Sequence, residues 1–182
     1  MREREDLTAW YIETERLATL IAIGEGTAAI DRIRAFVNAA RTNPPDSPLA
    51  FVRILAQYAG VLESTEAFAE ADFIWSEALG AIESAEIKNR DAAEAFLRHG
   101  LLLIKMHNYD GAVAKLKAAV QRAEALEDVE ELDRQIILAR AWRGQAQALE
   151  ALGEFNEASS TLDTLMNVKR QIRFIAFAPT RG

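Results

Sequence analysis

The sequence predicts an all-α protein built from antiparallel helix pairs that repeat along the chain. Three observations carry this. Apolar residues recur at spacings of three and four, and the body of the chain lacks the apolar–polar alternation of strands. The prolines are Pro44, Pro45, Pro48 and Pro179, so the 130 residues from Leu49 to Ala178 contain none. Proline costs roughly 3 kcal/mol inside a helix, and its absence permits nearly continuous helix. Finally, one short pattern returns: a large aromatic, an alanine three residues later, and a large apolar residue four beyond that.

The punctuation divides the chain into eight predicted helices. The first, at about 5–23, ends at the EGT link that opens the second, 26–42. NPPDSP (Asn43 to Pro48) stops the second helix and caps the third, 48–64, with proline at a position where a missing N–H costs nothing. STE leads to the fourth, 67–85, and the fifth spans 88–107. HNYD turns the chain into the sixth, 110–126. The connector EALEDVEELD (Glu124 to Asp133) holds six acids and no base, which favours the N-terminus of the seventh helix, 130–152, through the helix dipole. GEFN opens the eighth, 155–172. Links of two to four residues force the helices they join to run antiparallel.

The repeat is legible residue by residue. Asn108-Tyr-Asp-Gly-Ala112 matches Glu154-Phe-Asn-Glu-Ala158 at an offset of 46, and Ala67-Phe-Ala-Glu-Ala71 at an offset of 41. Twelve residues before each alanine stands another small residue: Ala59, Gly100 and Ala146. Four before that is a bulky one, Leu55, Phe96 or Trp142, and four after the alanine comes Trp75, Leu116 or Leu162. Small residues let two helices approach and bulky ones fill the crossing. The first unit departs from the pattern. Ala29 lies 42 before Ala71, but Gly26 stands at the aromatic position and Leu17 where a small residue belongs. A degenerate terminal unit suits the end of an array, whose outer face meets water.

A helix pair returning every 41–46 residues is the signature of a repeat array. These residues resemble the tetratricopeptide repeat family, whose pattern is W-x2-LG-x2-Y followed by G-x-Y-x2-A. The segment from Ala141 to Leu162 is the nearest copy, with Trp142, Ala146, Leu149, Gly153, Phe155 and Ala158 in register. The segment Phe96 to Leu116 follows, with His107 where glycine is usual, and then Leu55 to Trp75. The units exceed the usual 34 residues and lack the proline at the repeat end. In this they are similar to the extended repeats of kinesin light chains and of some bacterial signalling regulators. The resemblance covers about residues 50–166 well and 9–43 weakly. It implies a right-handed superhelical solenoid: a degenerate cap at 1–43, three helix pairs over 48–166, and a capping tail at 167–182.

Composition excludes several functions. The formal charge is -7, so a general nucleic-acid binder is not expected, because phosphate neutralisation needs a basic face. There is no cysteine, hence no disulfide and no thiolate metal site. The most apolar early run, Leu17 to Gly24, is too short to span a bilayer and lacks a cleavage-site flank, so a cytoplasmic protein without membrane association is expected. The two histidines, His99 and His107, read as a packing residue and a turn residue, and a metal site needs more ligands than these. GEGTAA (Gly24 to Ala29) lacks the lysine and the preceding strand of a phosphate loop, and no GxSxG elbow occurs. Neither an enzyme nor a cofactor is expected.

What the resemblance implies instead is a concave surface lined by the first helix of each pair, holding a peptide or helix of a protein partner. Its register assigns Arg53, Ala56, Gly60 and Glu63 to one unit, Glu94, Leu97, Leu101 and Ile104 to the next, and Arg140, Arg143, Gln147 and Glu150 to the third. The lysines and asparagines with which one subclass grips a C-terminal carboxylate are absent from these positions, so that role is not expected. What remains is an apolar strip, Leu97–Leu101–Ile104, flanked by arginines and suited to a segment carrying acids if it is exposed. Two other functions fit the same sequence: a regulatory sensor domain of a larger signalling protein, and a module that self-associates. The tail from Asn167 to Gly182 carries Lys169, Arg170, Arg173 and Arg181 with no acid, and QIRFIAFAP within it is strongly apolar. It offers a cap for the array, an occupant for the groove, or a route to homo-oligomers.

Overall fold

The computed structural model describes residues 16–177, apart from Ala18 and residues 128–130. Every element among them is an α-helix. A helical stretch over 19–22, with Leu17 buried beside it, precedes α1 (Gly26–Thr42), α2 (Pro48–Ser64) and α3 (Phe68–Ser84). Then come α4 (Arg90–Lys105), α5 (Tyr109–Glu124), α6 (Glu131–Leu152) and α7 (Phe155–Phe177). The second and third expected helices match α1 and α2 to the residue, and the others agree within two residues where the chain is described, except that α7 runs on to Phe177. Residues 5–15 of the first expected helix and the last residues of the tail, 178–182, lie outside the described part. The chain forms two compact units, Met1–Ala85 and Glu86–Gly182, and the proline turn at 43–48 lies inside the first.

In the first unit α2 packs against both α1 and α3. Its core is Leu55, Tyr58, Ala59 and Leu62 against Ala71, Trp75, Ala78 and Ile82, all essentially inaccessible. The Trp75 indole N–H donates to Glu63 at 2.9 Å, which satisfies the polar end of the largest core side chain. Arg34 reaches from α1 to Glu70 on α3 at 3.1 Å and to the Tyr58 hydroxyl at 3.1 Å, while Arg41 pairs with Glu77 two turns on.

In the second unit α4 and α5 form one pair and α6 and α7 the next, with α6 also packed on α5 and α4. Asn89 and Asn108 cap α4 and α5, each side chain accepting from a first-turn backbone N–H. Buried Gly100 brings α4 against Leu116 of α5: a Cβ on Gly100 would stand 2.6 Å from Leu116 Cγ. The small residues of the repeat pattern, Ala59, Ala112, Ala146 and Ala158, are likewise buried. Arg122 covers the Phe96 ring at 4.3 Å, a cation on an aromatic face at the edge of this core.

The turn within each pair is the same backbone motif. Gly24, Glu66, His107 and Gly153 all have positive φ, between 58° and 82°. Each stands five residues before the buried repeat alanine, Ala29, Ala71, Ala112 or Ala158. In each turn the next residue's N–H bonds back to the carbonyl five residues earlier, from Glu25, Ala67, Asn108 and Glu154 to Leu20, Leu62, Leu103 and Leu149. This is the helix end that glycine favours, written four times. The first unit is therefore degenerate in side chains and regular in backbone. Gly26 has a packing reason, since a Cβ there would stand 2.9 Å from Thr65 Cγ2.

Candidate functional site

The residues assigned by register to a partner surface fall on α2, α4 and α6. In the first unit Arg53 is exposed on α2, and Ala56 and Gly60 are half-buried on the same helix. In the second unit α4 and α6 lie directly against one another. Two ion pairs fasten them along their outer edge, Arg90 with Asp133 at 2.9 Å and Arg140 with Glu94 at 2.6 Å. Both pairs are substantially exposed, so they set registry more than they add stability.

The apolar strip is not a surface. Leu97 is 0% exposed and Ile104 9%, and only Leu101 is half-buried. Leu101 and Ile104 pack where α6 has Gly144. A Cβ at Gly144 would stand 2.9 Å from Leu101 Cδ2 and 3.5 Å from Ile104 Cδ1, so the missing side chain is the space into which α4 packs. The residues that face solvent here are polar: Arg140, Arg143 and Gln147 are exposed along α6. Ile136, 42% exposed and four residues before Arg140, joins them on one helix face. Ile136 was not among the residues the register assigned. Its signal, an apolar residue at helical spacing from Arg140, Arg143 and Gln147, was present in the sequence. The half-buried Arg98 lies one turn from Glu94 on α4.

The resulting face is a stripe along α6 that runs from Ile136 through Arg140, Arg143 and Gln147 to Glu150, all exposed, with half-buried Leu101 of α4 packed against Gly144. Guanidinium groups are suited to planar, bidentate recognition of carboxylates. The groups with resolved pKa shifts stand elsewhere and are held by structural bonds. The Lys117 ammonium, 2.8 Å away, lowers the Glu157 carboxyl. The Tyr58 hydroxyl, and then Arg34, lower the Glu70 carboxyl, while burial and then Glu70 raise Tyr58. His99 is buried within α4, and His107 occupies the left-handed turn position with its Nδ1 2.8 Å from the Tyr109 hydroxyl. Among the described residues no group of three or more His, Cys, Asp or Glu side chains could hold a metal ion. None of the described helices is long and apolar enough to cross a membrane.

No model of a known protein family matches the chain, and no curated protein sequence matches it. Solved structures do. BtubC (BKLC) from P. vanneervenii is similar at a TM-score of 0.75 and 15% identity, over 94% of this chain and 67% of that one. A Podosopora anserina protein described as a putative kinesin light chain with nearly identical TPR-like repeats gives a TM-score of 0.58 and 11% identity, over 88% of this chain and 95% of that one. A single-residue variant of that protein gives 0.60 and 11%, over 90% and 95%. At these identities the likeness is one of fold: the chain has the architecture of the TPR-like helical repeat proteins.

Proposed function

We propose that this chain is a non-catalytic interaction scaffold that binds a peptide or helix of a partner protein on the faces of its first-of-pair helices. In the second unit the receiving face is the outer side of α4 and α6, with Arg140, Arg143 and Gln147 as polar contacts, Glu94 holding Arg140 in place, and Leu101 and Ile136 as apolar contacts. The corresponding positions in the first unit are Arg53, Ala56 and Gly60 on α2. The observation that carries this reading is the stripe on α6, because it sets exposed guanidinium groups beside apolar side chains on a chain whose net charge is -7. The Arg143 guanidinium, beside Gln147 and between the Arg140–Glu94 ion pair and Glu150, offers a contact to a partner carboxylate, and Ile136 offers one to a large apolar residue. Helix-in-groove recognition uses the same spacing of anchors on the partner's side. Leu97 and Ile104 act behind this face, as core that keeps α4 and α6 in register.

The test compares capture from a lysate of the source cells by the intact chain and by Arg143→Glu, quantified protein by protein. Arg143 is exposed, so its reversal leaves the fold intact while inverting the charge offered to an acidic segment. A protein enriched by the intact chain and lost with Arg143→Glu supports the reading. A protein retained equally by both places the partner face elsewhere.

A further inference from the structure

The outer face of α7 carries Phe155, Leu162 and Met166, which are 69%, 38% and 55% exposed. These are not scattered surface residues. In the repeat register Leu162 is the counterpart of Leu116 on α5, which is 0% exposed, seated between Gly100 of α4 and Gly144 of α6. One side of Leu116 packs on Gly100 of its own pair, and on the other its Cδ1 lies 3.1 Å from where a Cβ of Gly144 on the next pair would be, a leucine seated over a small residue of the neighbouring helix. On α7 the leucine stands ready and the small residue is supplied by the same helix: Ser159, exposed, on the same stripe. Phe155, Ser159, Leu162 and Met166 follow the four–three–four spacing of a coiled-coil seam.

We infer that α7 is a self-pairing face, on which a second copy of this chain docks antiparallel with Phe155 against Met166 and Ser159 against Leu162. One register satisfies both contacts at once, since the two pairs share a midpoint on the helix. Each leucine then sits over a serine, as Leu116 sits over Gly144. The serine hydroxyl bonds to the carbonyl one turn back, the arrangement Thr161 and Thr164 already use in this helix at 2.9 Å and 3.1 Å. Charge selects the same direction. Antiparallel pairing brings Lys169 and Arg170 of one copy towards Glu154, at the start of α7, of the other, all three exposed. Parallel pairing would set like charge against like. The face is separate from the partner stripe on α6, and the inference stands independently of the proposed function.

The chain has no cysteine, so introduced thiols are the only ones present. Phe155→Cys and Met166→Cys are made separately, and each is oxidised alone and as an equal mixture. Within one helix the two positions are 11 residues, or about 16 Å, apart, well beyond disulfide reach, so neither variant can pair with its own copy in the inferred register. The expected result is a disulfide-linked dimer in the mixture and little in either variant alone. Alongside, sedimentation of the unmodified chain over a concentration series shows a monomer–dimer equilibrium. Leu162→Arg raises its dissociation constant about tenfold or more, since a charge is buried without a partner, while the circular dichroism spectrum is unchanged. A chain that stays monomeric throughout overturns the inference, as does a dimer indifferent to Leu162→Arg. Equal cross-linking of the single variants overturns the antiparallel register.

Discussion

Replacing Glu66 by glycine is expected to stabilise the protein, and replacing Gly153 by alanine to destabilise it by a similar amount. Glu66 and Gly153 occupy the same turn in two different helix pairs, with φ of 61° and 81°. An L-residue in this region costs roughly 1–2 kcal/mol, because Cβ crowds the following carbonyl. Glycine removes that cost but enlarges the unfolded ensemble, which gives back about 0.4–1 kcal/mol. Glu66 is exposed, so little side-chain packing is lost. The net gain for Glu66→Gly is about 0.5–1 kcal/mol, and Gly153→Ala loses about the same. No heavy atom lies within 4 Å of a Cβ built on Gly153, so its penalty arises from the backbone alone. Urea denaturation followed by circular dichroism measures both, as a shift in midpoint at constant slope. If Glu66→Gly lowers stability, or Gly153→Ala leaves it unchanged, the four turns are not the equivalent strained motif described above.

Other consequences are open to the same treatment. Leu97→Ala, at a position with no exposure, is expected to cost about 2–5 kcal/mol by thermal or chemical denaturation, whereas a residue on an open surface would cost little. Gly100→Ala forces Leu116 aside and is expected to cost about 1–3 kcal/mol, with a lowered denaturation midpoint as the readout. Hydrogen bonding from Tyr58, and then Arg34, depresses the Glu70 carboxyl in the folded state. Its contribution is therefore full above the ordinary carboxylate range and lost as pH falls through the folded value. Glu70→Gln should flatten the acid limb of the stability–pH curve, and an unchanged limb would remove Glu70 from that account. Burial raises Tyr58 in the folded state, so its contribution is present below the ordinary tyrosine range and fades as pH rises through the folded value, which Tyr58→Phe should abolish.

Helix boundaries were legible where local chemistry dominates. The proline cluster at 44–48 ended α1 and began α2, and the aromatic–alanine pattern placed the turns of the later pairs. The first pair was harder to read because its evidence is in the backbone. Gly26 replaces an aromatic where α1 approaches Thr65, and the pattern survives only in Gly24 and Ala29. The proposed partner face was legible in its polar half. Arg140, Arg143 and Gln147 are exposed at the positions the resemblance assigned, but neither register nor periodicity distinguishes a wet face from one covered by the next helix. Leu97 and Ile104 share their face with Leu101 and are buried, and Leu101 and Ile104 fill the space that Gly144, forty or more residues away, leaves by having no side chain. The same limit works in reverse on α7. Leu162 has the sequence context of the buried Leu116, yet it is exposed.

The reading of this chain as an interaction scaffold is tested most directly by a photo-reactive amino acid placed at Gln147, on the α6 stripe, and in a separate chain at Ala114, exposed on α5. Irradiation in lysate followed by mass spectrometry of the adducts shows which face is occupied. The account predicts a partner cross-linked from position 147 through a segment rich in acidic residues, and none of it from position 114. The same partner captured from 114 and not from 147 would contradict it.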